Sequence, residues 1–70
     1  MEIHERLKAL RLNAGYLNTK DVEKFAKLIG KGYTANHIYN FESGSRKAGQ
    51  KIKENWAKAC GLKYGETFTP

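Results

Sequence analysis

The feature that most restricts this chain is its punctuation. The only proline is Pro70, and seven glycines divide the remainder into segments of helical period. An interior without proline and with little strand-like alternation favours helices over strands. Ile3, Leu7, Leu10 and Ala14 fall on one helical face, and Gly15 stands where such a helix stops, because glycine enters the left-handed cap conformation without strain. Asn18 is an N-cap candidate with Asp21 three residues on. Val22, Phe25, Ala26 and Ile29 follow at i, i+3, i+4 and i+7, and Gly30 and Gly32 close the stripe. A third segment starts at the N-cap candidate Thr34, turns Ile38 and Phe41 inward, and ends at Gly44. A fourth starts between Ser45 and Gly49, buries Ile52, Trp56, Ala59 and Cys60, and ends at Gly61, after which Leu62 and Phe68 are expected to fold back on the core. The spacing predicts an all-α chain, a compact four- to five-helix bundle. Its helices run over 2–14, 19–30, 34–43 and 48–60, with a short tail over 62–70 that includes a fifth turn near Tyr64–Phe68.

Seventy residues make one domain, 1–70. A chain of this size buries only about 60% of its unfolded surface, enough for one small core but not for a deep catalytic cleft. Thirteen Lys and Arg against seven Asp and Glu leave a net charge of +6. Such a field either attracts a polyanion or simply keeps the protein soluble. The single cysteine, Cys60, allows no internal disulfide and fits a reduced, cytoplasmic setting. The first residues are acidic where a signal peptide needs basic ones, and no run approaches the roughly 20 apolar residues of a membrane span. His4, His37 and Cys60 lie on different segments, Gly30-Lys31-Gly32 is not a phosphate-binding loop, and nothing completes a triad around His37 and Ser43. No catalytic residue, metal ligand, cofactor or small-molecule ligand is expected.

The third helix is the segment with chemistry to offer. Its outward side carries Asn36, His37, Tyr39 and Asn40 with Ala35 beside them, where an ordinary solvated face carries Lys and Glu. Two asparagines weaken a helix, because their side chains compete for the backbone. Asparagine also pairs with the N6 and N7 edge of adenine, and a small apolar side chain meets a thymine methyl. A surface helix with chance asparagines is the plainer alternative. Directly after it, residues 43–53 contain no acid but do contain Arg46, Lys47, Lys51 and Lys53. With Ser43-Gly44-Ser45 leading in and backbone amides expected to be accessible, this run suits phosphate contacts.

Ile38-Tyr39-Asn40-Phe41-Glu42-Ser43-Gly44 resembles the Ile-Ser-x-Leu-Glu-x-Gly signature of lambda-repressor-like helix-turn-helix proteins, the phage Cro and repressor class. Glu5-Arg6-Leu7-Lys8-Ala9-Leu10-Arg11 resembles that family's first helix, and Trp56-Ala57-Lys58-Ala59-Cys60-Gly61-Leu62 its closing one. The likeness spans residues 3 to 68. It departs from the family in a turn longer by about two residues, in Tyr39 replacing the serine, and in the absence of a proline before the fourth helix.

The resemblance implies roles. Thr34, Ala35, Asn36 and Asn40 would read bases in the major groove, and Tyr39 is a further base-reading candidate. Asn18, Thr19, Gly44, Ser45, Arg46 and Lys47 would lie along phosphates, with Lys31 and Lys51 as further candidates, and Arg11 and Glu42 would form an ion pair joining the first and third helices. The implied protein is a prokaryotic or phage-encoded transcription regulator, a Cro-like repressor. It would bind double-stranded DNA as a homodimer, formed in solution or on the DNA, with half-sites one helical turn apart. An antitoxin-like protein-interaction module on the same fold, signalled by a large apolar patch around Tyr64 and Phe68, is one alternative. A non-specific or RNA binder using Tyr33, Tyr39 and the basic run is the other.

Overall fold

The computed structural model describes residues 2–68; the last two residues of the expected tail, and residue 1, lie outside them. Within that span every regular element is a helix: α1 (Ile3–Asn13), α2 (Thr19–Ile29), α3 (Ala35–Ser43), α4 (Gln50–Ala59) and α5 (Tyr64–Phe68). None of them is long and apolar enough to cross a membrane.

Local chemistry sets the ends. The Asn18 side chain accepts from the Asp21 amide at 2.9 Å and starts α2. At α3, His37 Nδ1 accepts from the Thr34 amide at 3.1 Å, so a histidine occupies the position that glutamate usually fills in a capping box. Two helices end in paired reverse bonds around a left-handed glycine. At α1, Gly15 N donates to Leu12 O and Tyr16 N to Arg11 O; at α4, Gly61 N donates to Lys58 O and Leu62 N to Ala57 O.

The core is one cluster. Leu7, Val22, Phe25, Ala26, Ile38 and Trp56 are fully buried, and Ile29 and Phe41 nearly so. Trp56 sits at its centre, edge-on to Phe25 at 4.9 Å and to Phe41 at 6.2 Å between ring centroids. Its indole Nε1 donates to Leu7 O at 2.9 Å, which gives the buried polar tip of the ring a partner on α1. Asn55 Nδ2 donates to Ile29 O at 2.8 Å and so fastens α4 to the end of α2. In this arrangement α3 packs against both α1 and α2, and α4 against α2 and α5.

Several boundaries differ from the expected ones. The third helix begins at Ala35 rather than 34, because Thr34 is its extended cap. The fourth begins at Gln50 rather than 48: Gly49 is the cap, and Ala48 turns into the core from the loop. α1 stops at Asn13 and α2 at Ile29, one residue earlier than expected in each case. Ile3 and Ala14, expected on the buried face of α1, are exposed at its two ends. Leu62, expected to fold back on the core, is 47% exposed; the left-handed Gly61 brings its amide over the end of α4 and leaves its side chain outside. Phe68 does pack against the core.

Gly30 has an extended backbone and supplies no left-handed stop. What it supplies is space, since a Cβ there would lie 2.5 Å from the ring of Tyr33. That ring in turn meets Phe41 edge-on at 6.0 Å. Gly30→Ala is therefore expected to cost about 1–3 kcal/mol in urea unfolding, as overpacking does. In a Tyr33→Ala background the same change should cost far less, and equal costs in both backgrounds would refute the account.

Cys60 provides a second test. Its thiol donates to Leu10 O at 3.6 Å, and burial pushes its pKa from 9.0 up to about 11. The folded chain holds this proton more tightly than the unfolded one. The thiol's contribution to stability is full below pH 9 and is lost as pH rises toward 11. Cys60→Ala should flatten the alkaline fall in stability over that window, measured by urea unfolding at stepped pH.

Candidate nucleic-acid interface

The rotation of α3 about its own axis decides which side chains it offers. Ala35, Ile38, Phe41 and Glu42 are buried, while Asn36, Tyr39 and Ser43 are exposed and Asn40 is half-buried. At about 100° per residue, the buried four occupy one sector of the helix and the polar four the opposite one.

Glu42 is the only carboxylate on α3, and it is turned away from the polar sector. Arg11 reaches it from α1 through two bonds, Nε to Oε2 at 2.5 Å and Nη2 to Oε1 at 3.0 Å, with both side chains 4% exposed. The remaining Arg11 nitrogen, Nη1, donates to Tyr16 O at 2.5 Å. This planar two-pronged pairing is the geometry that suits guanidinium to carboxylate. The ion pair that the resemblance implies is present, and it leaves the outward face of α3 without an acid.

Two contacts at the start of α3 were not read from the sequence. Glu23, on α2, accepts from the Ala35 amide at 3.0 Å and so supplies a negative cap to the positive end of the α3 dipole. His37, expected on the outward face, is half-buried: its ring lies edge-on to Tyr33 at 5.2 Å while Nδ1 caps Thr34. Glu23 is twelve residues from its partner on a neighbouring helix, and no local pattern signals that pairing. The His37 spacing did match a capping box, but with an unusual residue.

Ala35 corrects an expectation. It was assigned to base reading, but it is 4% exposed and belongs to the core cluster, because the first turn of α3 rests on α2 at that point. A second correction concerns the loop after α3, whose amides were expected to be accessible. They are engaged internally: Gly44 N with Phe41 O, Ser45 N with Ser43 Oγ, and Arg46 N with Asn40 O. The last carbonyls of a helix need donors, and this loop provides them.

The other assigned positions are on the surface. Thr34 and Asn36 are exposed, and Tyr39 is 40% exposed with the Arg11 guanidinium 5.9 Å from its ring centroid. Lys31, Ser45, Arg46, Lys47 and Lys51 are all exposed. Arg46 lies over the Phe41 ring at 5.6 Å and shares a cleft with Lys47 and Lys53. Asn18 and Thr19 are exposed at the start of α2, whereas Lys31 follows its end. An eleven-residue helix, roughly 16 Å long, separates the two groups, so they serve different phosphates if they serve any. Among the described residues no group of three His, Cys, Asp or Glu is placed to hold a metal ion.

Removing the Glu42 carboxylate strands a buried guanidinium. Glu42→Ala should cost about 3–5 kcal/mol, enough to unfold much of a domain this small. The double change Arg11→Met with Glu42→Leu removes both charges and should recover most of that loss. Urea unfolding of the three chains decides; a Glu42→Ala chain as stable as the parent would contradict the buried pairing.

No protein-family model, curated protein or solved structure matches the chain.

Proposed function

We propose that this protein is a sequence-specific binder of double-stranded DNA, a lambda-repressor-like helix-turn-helix regulator of the Cro type. In this reading α3 enters the major groove, and the protein acts as a homodimer on a two-fold symmetric site. The observation that carries it is the face of α3: amide and hydroxyl groups outward, its one carboxylate buried against Arg11, and Arg46, Lys47 and Lys51 exposed just beyond. Amides suit base edges, and the basic residues suit phosphates without adding sequence preference. A net charge of +6 concentrates the protein near any polyanion.

A partner-protein role would be favoured by a broad apolar patch at Tyr64 and Phe68. Both are half-buried; they pack on each other at 5.5 Å, and the Tyr64 hydroxyl donates to Gln50 Oε1 at 2.9 Å. The reading as a DNA binder is therefore preferred to an interaction module. The loop between α2 and α3, residues 30–34, is somewhat longer than the three to four residues of a compact helix-turn-helix turn, which makes the pair α2–α3 a variant of that motif in this reading.

In vitro selection from random duplexes should return a two-fold symmetric site with half-sites about 34 Å apart. On that site Asn36→Ala and Asn40→Ala should each weaken binding by about 1–3 kcal/mol and relax preference at one base pair per half-site, with folding unchanged. Arg46→Ala should instead weaken all sequences alike and reduce the salt dependence of log K by about one unit of slope. Full affinity and sequence preference in both asparagine variants would exclude α3 as the reading element.

A further inference from the structure

The first turn of α1 and the loop leaving α3 flank an open cleft of about 380 Å³. Its apolar wall is the exposed Ile3 with the edge of Ala48, and Leu7 and Phe41 lie buried behind it. Ile3 continues the apolar stripe of α1, yet at the helix's first position it stays 41% exposed beside the cleft. The His4 ring lies against Gly44, where a Cβ would approach Nδ1 to 3.3 Å, and so closes one side. The rim carries three permanent positive charges, Arg46, Lys47 and Lys53, against the single carboxylate of Glu2. The Arg46 guanidinium stands 5.6 Å from the centroid of the buried Phe41 ring, which anchors that charge at the cleft.

We propose that this cleft binds an amphipathic organic anion, an aryl or alkyl carboxylate or sulfonate. Its head group sits among Arg46, Lys47 and Lys53 and its apolar body against Ile3 and Ala48. The volume lies within the roughly 300–1,000 Å³ of small-molecule sites, and apolar surface with a few charged groups beside it is their usual composition. Arg46 and Lys47 are also the residues assigned to phosphates, so an occupied cleft competes with nucleic acid for them. That consequence rests on the proposed DNA binding; the site itself does not.

The test uses the whole chain and anilinonaphthalene sulfonate as the probe, with the uncharged phenylnaphthylamine as its control. The sulfonate should bind saturably at one site and shift the methyl resonances of Ile3, Leu7 and Ala48, while the neutral compound binds much more weakly. Lys53→Gln should lower the sulfonate affinity about threefold. Ile3→Ala should lower it roughly three- to tenfold, and both variants should keep the parent's circular dichroism, since neither residue is in the core. Equal binding of both compounds, shifts elsewhere in the chain, or unchanged affinity in both variants would overturn the site. With the selected duplex present, sulfonate at a concentration near its Kd for the parent should weaken DNA binding in the parent and less so in Lys53→Gln. DNA affinity untouched by an occupied cleft would overturn the competition. Sulfonate bound in the cleft of a chain that selects no duplex would uphold the site and remove the DNA reading.

Discussion

Arg11 is the side chain on which the arrangement of this small domain depends. Its guanidinium holds Glu42 of α3 by two bonds and the Tyr16 carbonyl by a third, while its own carbonyl accepts the Tyr16 amide. One residue thus fixes the orientation of α3 on α1 and the direction in which the chain leaves α1 toward α2. Tyr16, held this way, lays its ring against Phe25 at 4.8 Å and carries the constraint into the aromatic centre. A buried ion pair is weak evidence of net stabilisation, because desolvating two charges offsets most of their attraction. Its value here is geometric: a fork of fixed shape admits few other angles between the two helices.

The polar face of α3 imposes a cost that the rest of the fold offsets. Nine residues with two asparagines, a threonine cap and no alanine beyond Ala35 make a poor isolated helix. Its N-terminus is consequently secured from two directions, by His37 bonding Thr34 within the helix and by Glu23 bonding Ala35 from α2. Its C-terminus is secured by Asn40 O, which accepts from both Ser43 Oγ and the Arg46 amide. A helix fastened at both ends and along one side tolerates an outward sequence chosen for something other than stability.

Much of this was legible in the residues, and the failures have physical causes. The stripe Val22, Phe25, Ala26 and Ile29 is buried throughout, because a helical run of four apolar residues has only one way to face a core. Gly15, Gly44 and Gly61 stop helices as expected, each at positive φ. Ala35 was misassigned because alanine suits a core, a groove or water alike, and only its neighbour across α2 decides. Ala48 was drawn into α4 for the same reason. Glu23 and the cleft under Ile3 were invisible because both arise between segments distant in sequence. The loop amides were misjudged because the sequence shows that Gly44 ends a helix but not which donors satisfy the carbonyls left there.

The five-residue connection between α2 and α3 leaves the rotation of α3 about its own axis to be set by packing. Placing Ala35 at zero and advancing about 100° per residue puts Tyr39 near 40°, Ser43 near 80°, Asn36 near 100° and Asn40 near 140°. The buried residues run from Phe41 near 240° through Ile38 and Glu42 back to Ala35. Asn36 therefore lies close to the middle of the outward sector, and Tyr39 and Asn40 form its two edges, in keeping with their partial exposure. The extra length is taken up before the helix begins, where the Tyr33 ring fills the space beside Gly30 and Gly32 supplies the one left-handed residue of the loop. Because Ala35, Ile38, Phe41 and Glu42 fix the phase from inside, the turn can lengthen without changing which side chains α3 offers to solvent.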